Sequence, residues 1–192
     1  MEEKFIFEIK NSIPDRLCNE IILMYELENI RFPGCTMGGV QKNIKDTTDL
    51  IIPKKNIKWN KIENFLYNEL NINLKKYLSH INNHENNIYI DSDNLTIEYF
   101  MIQKYDQKIG KYTYHNDFRI DYNEKKNRVI TFIWYLNNID EGGETEFFNL
   151  KKIIPETGKL LLFPASWLFP HRAITPYSSD KYIITGWFYI KY

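Results

Sequence analysis

Val129-Ile130-Thr131-Phe132-Ile133-Trp134-Tyr135-Leu136 is an uncharged run of β-branched and aromatic residues, and it reads as a buried β-strand. Shorter runs of the same character stand around it at residues 88–90, 95–105, 144–148, 159–163 and 182–189. Turn signals separate them: Gly110, the polar loop 123–127, and residues 140–143, 155–158 and 176–180. Many short strands divided in this way describe an antiparallel sandwich or barrel.

Upstream of residue 88 the period is helical. Ser12 is placed to cap a helix over residues 13–27, with Pro14 in its first turn and Leu17, Ile21, Ile22 and Tyr25 at helical spacing. Ile62, Phe65, Leu66, Leu70, Leu74 and Leu78 recur every three or four residues, which predicts a long amphipathic helix over 58–81 with an interruption near Asn71. Between these two, Pro33, Gly34, Gly38 and Gly39 and the charged stretch 45–49 read as a loop with at most short strands. No repeat or linker divides the chain, so it reads as a single domain over 1–192. Residues 1–87 form a mainly helical support, and 88–192 form the β core.

Composition excludes several classes. The 192 residues carry 25 basic and 25 acidic side chains, a formal net charge of zero, whereas an electrostatic binder of nucleic acid or of a membrane surface needs a basic excess. No run approaches the roughly 18 apolar residues of a membrane span, and the first thirty residues mix charges with short apolar runs instead of showing a signal-peptide core. A cytoplasmic location, no nucleic acid and no membrane partner are the resulting expectations. Cys18 and Cys35 are too few for a disulfide framework.

The chemistry concentrates around two histidines. Tyr114-His115-Asn116-Asp117 sets an imidazole and a carboxylate two residues apart, a spacing that points both to one face of a strand. Phe169-Pro170-His171-Arg172 supplies a second imidazole after the strand at 159–163. Two imidazoles and one carboxylate on one side of a metal form the facial triad of non-haem Fe(II) sites, which leaves positions open for substrates. Ten residues after His171, Lys181 leads into the apolar strand 182–189. A lysine there is either a surface charge or a buried ammonium that needs an anion, and a dicarboxylate supplies one. Taken singly, Tyr105, Tyr135 and Trp187 read as core aromatics, and Gly142-Gly143 as a hairpin turn.

In combination these features resemble the prolyl-4-hydroxylase-like branch of the Fe(II)/2-oxoglutarate-dependent dioxygenases over residues 95–190. His115, Asp117 and His171 fall on that family's iron ligands, and Lys181 on the residue that pairs with the distal carboxylate of 2-oxoglutarate. Tyr105 resembles the tyrosine lining the cosubstrate pocket, and Tyr135 the one whose hydroxyl faces the same carboxylate. Glu141-Gly142-Gly143-Glu144-Thr145 is similar to the family's turn that brings Thr145 into the pocket, and Trp187 matches the tryptophan six residues after the basic position. The polar segment 119–127 lies where the branch places a mobile segment over the substrate.

The resemblance implies a mainly β fold with N-terminal helices, a double-stranded β-helix (jelly roll) buttressed by two or more helices. It implies Fe(II), 2-oxoglutarate as cosubstrate, O2, and ascorbate as a supporting reductant. The implied reaction is hydroxylation of an aliphatic C–H, with proline in a peptide or protein as the leading substrate. A free amino acid or other small-molecule substrate is the alternative within the enzyme class. A jelly-roll binding module without catalysis is the alternative outside it.

Overall fold

A computed structural model describes residues 2–54, 56–84, 90 and 92–192. Strand β1 (Phe7–Ile9) precedes helix α1 (Asp15–Leu27), and β2 (Phe32–Pro33), β3 (Lys45–Asp46) and β4 (Thr48–Ile51) lead into α2 (Ile57–His84). Next come β5 (Leu95–Ile97), β6 (Met101–Tyr105), β7 (Lys111–His115), β8 (Ile120–Asp121) and β9 (Lys126–Tyr135). β10 (Thr145–Phe147), β11 (Lys151–Ile153), β12 (Leu160–Pro164), β13 (His171–Ala173) and β14 (Lys181–Lys191) complete the order. Residues 88 and 89 of the strand expected at 88–90 lie outside the described residues.

The strands form two antiparallel sheets. The larger has nine strands in the order β1-β12-β9-β14-β6-β4-β2, with β5 added on β14 and β8 on β9; the smaller runs β11-β10-β13-β7-β3. This is the jelly roll, with α1 and α2 packed on the outer face of the larger sheet. Alternation along the central strands divides the interior into two layers. Ile130, Phe132 and Trp134 of β9, Leu160 and Leu162 of β12 and Ile184 and Phe188 of β14 pack with Ile21 and Tyr25 of α1 and Leu66 and Leu70 of α2. The intervening residues Ile133, Tyr135, Leu161, Phe163 and Ile183 turn inward and meet Phe147 and Phe169.

The helical half departs from its sequence pattern in two places. α1 begins at Asp15 with Pro14 at the cap position, and Ser12 does not cap it. The buried Ser12 hydroxyl instead accepts hydrogen bonds from Trp134 Nε1 and Asn73 Nδ2, each at 3.0 Å, and so ties both helices to the sheet. α2 also continues through Asn71 without a break. Two residues on, the fully buried Asn73 satisfies its amide on Glu69 and Ser12, so a polar residue on the apolar face costs the helix nothing in unmet hydrogen bonds.

The stretch 33–49 holds short strands, as its sequence allows, but its charges at 45 and 49 are not exposed. Lys45 and Asp49 are buried and paired, and the backbone around them forms β3 and β4. Residues 119–127 contain a hairpin in which β8 pairs with the start of β9. Gly142 and Gly143 do adopt positive φ, +72° and +74°, but they precede β10 and bridge to Pro176 rather than turning a hairpin. A Cβ on Gly142 would stand 2.3 Å from the Thr175 carbonyl oxygen, so the close approach as well as the φ demands glycine.

Replacing Ser12 with alanine should remove the acceptor for the buried Trp134 indole N–H and cost ~1–3 kcal/mol. In urea denaturation the midpoint should fall while the slope stays constant. An unchanged midpoint would show that the Ser12 bridge contributes no stability.

Candidate functional site

Antiparallel pairing of β7 with β13 sets His115 directly opposite His171. Asp117 joins them from just beyond β7, which ends at His115, so the two-residue spacing works at a strand end and not within a strand as its periodicity suggested. His115 Nε2 lies 3.8 Å from Asp117 Oδ1, and His171 Nε2 lies 3.7 Å from Asp117 Oδ2. One donor atom from each residue falls within 4.8 Å of the other two.

Local contacts aim these donors. Nδ1 of His115 donates to the Thr113 carbonyl at 2.8 Å, and Nδ1 of His171 to the Phe169 carbonyl at 3.1 Å. A neutral imidazole that donates from Nδ1 keeps its lone pair on Nε2, the atom that faces the cluster in both residues. Tyr112 stacks on His115 with ring centroids 3.5 Å apart, while Phe147 and Phe163 pack around His171. Burial, and then the neighbouring His171, hold His115 down to about 3, so it stays an unprotonated ligand at neutral pH. Burial pushes the Asp117 carboxyl upward, but His171, His115, the Thr131 hydroxyl and Arg128 outweigh it and hold it below the ordinary carboxylate range. Thr131 Oγ1 donates to Asp117 Oδ2 at 2.8 Å. Two oriented imidazoles and one fixed carboxylate fit a divalent transition-metal ion such as Fe(II).

The cluster forms one wall of a cavity of about 350 Å³ between the sheets, and Lys181 lies in the same cavity on β14. Lys181 is 1% exposed. Its Nζ donates to the Gly143 carbonyl at 2.8 Å and stands 4.3 Å from the centre of the Tyr105 ring. No carboxylate among the described residues lies within ion-pair distance of it, and burial lowers it to about 7, opposed weakly by Glu144. A buried ammonium without a counter-ion is a ready receptor for a ligand carboxylate.

Other residues expected in the site are distributed around this lysine. Tyr105 lines the cavity, and its hydroxyl donates to Gln103 Oε1 at 3.0 Å. Thr145 lines the cavity too, and Tyr135 stands behind it and donates to its Oγ1 at 2.7 Å. Trp187, on the same strand as Lys181, also lines the cavity, with its indole N–H buried and unpartnered. Arg172 is drawn aside by Glu146, 2.7 Å away, while Glu146 also accepts from Tyr114.

Several residues of the site escaped the sequence reading. Arg128 lies flat on Trp187, 3.4 Å from its ring centre, and has no ion-pair partner among the described residues. Lys45, Asp49 and Gln103 also line the cavity. Arg128 sits at the polar edge of the strand run, and Lys45 and Asp49 resembled solvated loop charges. Nothing in their local sequence separates them from the other surface-type residues around them.

Residues 100–189 match the 2OG-Fe(II) oxygenase superfamily. The chain is similar in fold to the crystal structure of a viral collagen prolyl hydroxylase from Paramecium Bursaria Chlorella virus-1 in its 2OG complex. Identity is 18% and the TM-score 0.66, over 97% of this chain and 96% of that one. A Pseudomonas putida prolyl-4-hydroxylase gives 17% identity and a TM-score of 0.66 over 96% and 92% of the two chains. A Trichoplax adhaerens prolyl hydroxylase, solved with a hypoxia inducible factor peptide fragment, gives 22% and 0.71 over 97% and 84%. No curated protein matches the chain. Among the described residues, no helix is long and apolar enough to cross a membrane.

Mn(II), used as an air-stable stand-in for Fe(II), should bind this cluster and stabilise the protein by ~2.7 kcal/mol at a hundred times its Kd. The rise in melting temperature should vanish in Asp117→Ala and in His171→Ala. A rise that survives both substitutions would place the metal elsewhere.

Proposed function

Because residues 100–189 belong to the 2OG-Fe(II) oxygenase superfamily, we propose that this protein hydroxylates an aliphatic C–H, with a proline in a peptide or protein as substrate. One observation carries the reading: the cavity has a metal-ligand cluster on one wall and, in the same space, the buried Lys181, which has no carboxylate partner among the described residues. A dicarboxylate that chelates a metal at one end and ends in a free carboxylate matches both features, and 2-oxoglutarate is such a molecule.

In this reading His115, Asp117 and His171 hold the iron, and their carbonyl and hydroxyl partners keep the three donors aimed at it. Lys181 neutralises the distal carboxylate, and Thr145, oriented by Tyr135, adds a hydroxyl beside it. Tyr105 forms the aromatic floor beneath the ammonium. Iron, when bound, supplies the redox chemistry in which 2-oxoglutarate and O2 become succinate and CO2, with one oxygen atom delivered to the substrate C–H. The chain contributes ligand geometry and cosubstrate orientation.

The peptide assignment rests on the open side of the cavity. Phe118 and Met37 line it and are exposed, at 47% and 86%, while Arg128, which has no ion-pair partner among the described residues, offers guanidinium donors in the same cavity. Apolar contacts beside free donors suit a peptide segment, whose carbonyl groups need partners when its side chains are buried. The likeness in fold to a prolyl hydroxylase solved with a peptide fragment supports the same choice.

The protein with Fe(II), 2-oxoglutarate and ascorbate should form succinate and add one oxygen atom to proline-containing peptides, detected by mass spectrometry. Oxidation of free amino acids alone would overturn the peptide assignment, and absence of succinate with every candidate would overturn the enzyme reading. Lys181→Met should raise the 2-oxoglutarate requirement at least tenfold with Mn(II) affinity retained. The same variant should stabilise the ligand-free protein near pH 7 by ~1–3 kcal/mol, because a buried uncompensated charge is removed.

The pH dependence has a defined sign. Lys181 titrates at about 7 in the folded, ligand-free state, below the ordinary lysine range. Above that pH it must take up a proton when the carboxylate binds. 2-Oxoglutarate affinity should therefore weaken as pH rises above about 7, by at most tenfold per pH unit. A flat profile between pH 7 and 9 would remove Lys181 from the anion site.

A further inference from the structure

The two halves of the cavity belong to different sheets. His115 and His171 stand on β7 and β13 of the smaller sheet, while Lys181 and Tyr105 stand on β14 and β6 of the larger one. Any ligand that spans them depends on the spacing between the sheets. The chain crosses between the sheets at residues 45–51, since β3 pairs with β7 and β4 pairs with β6. Lys45 lies in register with Tyr112, and Asp49 in register with Gln103.

Across that crossing, Lys45 Nζ donates to Asp49 Oδ2 at 2.7 Å, and both side chains are almost fully buried. Asp49 has two more donors: Thr47 Oγ1 on Oδ1 at 2.7 Å and Gln103 Nε2 on Oδ2 at 3.2 Å. From Gln103 the contacts continue to the Tyr105 hydroxyl, and the Tyr105 ring carries Lys181. From Lys45 they continue differently: its Nζ stands 5.5 Å from the centre of the Tyr112 ring, which stacks on His115. Gly34 closes over the pair so tightly that a Cβ there would meet Thr47 Oγ1 at 2.0 Å and Lys45 Cε at 2.9 Å.

We propose that Asp49 is a positioning residue that holds the metal-ligand end and the anion-binding end of the cavity at a fixed separation. It acts through the Lys45–Tyr112–His115 contacts on one side and the Gln103–Tyr105–Lys181 contacts on the other. The proposal rests on the oxygenase reading above. A buried ion pair adds little net stability against a well-packed apolar replacement, but it does fix one geometry. That distinction makes the role testable apart from folding.

The test uses the full chain with Mn(II) in place of Fe(II). Mn(II) affinity is read from the paramagnetic resonance signal of the free ion, and 2-oxoglutarate affinity by calorimetry at saturating Mn(II). Asp49→Asn should lower the melting temperature, because it leaves the Lys45 charge buried and unpaired. The double variant Lys45→Met/Asp49→Asn removes both charges and should recover that stability, yet bind Mn(II) and 2-oxoglutarate each roughly tenfold more weakly than wild type. Gln103→Leu should weaken 2-oxoglutarate binding by a similar factor and leave Mn(II) affinity unchanged.

If the double variant regains both stability and affinity, Asp49 merely neutralises Lys45 and the proposal is overturned. Wild-type affinities in Gln103→Leu would remove the anion-side arm and overturn it equally. A wild-type protein that binds no 2-oxoglutarate in the presence of Mn(II) would sink the oxygenase reading itself, a result distinct from wild-type binding that the variants match.

Discussion

Period-two alternation in β9, β12 and β14 holds the structure to a single register. Each of these strands faces two different interiors at once, with Phe132, Trp134, Leu162 and Ile184 against the helices and Ile133, Tyr135, Leu161 and Ile183 toward the smaller sheet. A slip of one residue would exchange the two sets. Lys181 would then leave the cavity for the face that Tyr182 now occupies, and Phe132 would turn toward the cavity. The helices and the ligand site therefore depend on the same pairing, which is why Ser12, Asn73 and Trp134 are joined by hydrogen bonds across that layer.

Within the register the two buried lysines of the cavity have opposite fates. Lys45 is matched by Asp49 at 2.7 Å, while among the described residues Lys181 meets the Gly143 carbonyl and the face of Tyr105 and no carboxylate at ion-pair distance. The first pair is electrically closed and available for structure. The second is open and costs stability until an anion arrives, a cost that the apolar layers around it must offset. The proposed function makes use of the incomplete pair, which shares its cavity with a cluster whose three donors are each oriented by a neighbour.

Much of this was legible in the residue order. The β-branched and aromatic runs located the central strands, the three- and four-residue spacing located both helices, and His115, Asp117, His171 and Lys181 were visible by type and spacing. What remained hidden has a common physical character. Ser12 looks like a helix cap because the cap signal is local, yet its partners are Asn73 and Trp134, far along the chain. Lys45 and Asp49 look solvated because composition registers charge but not burial. Arg128 looks like the polar edge of a strand, and only the fold lays it on Trp187.

By itself the sequence determined the alternation of apolar residues, the helix and strand periods and the chemical types of the ligand donors, because each depends on neighbours a few positions apart. Tertiary structure alone decided that His115 opposes His171, that Asp117 meets them from beyond the strand end, and that Lys181 has no counter-ion among the described residues while Lys45 receives one. The reason is that charge compensation and ligand convergence are set by distances across and between sheets. Those distances arise from strand pairings that join remote parts of the chain, which no local spacing encodes.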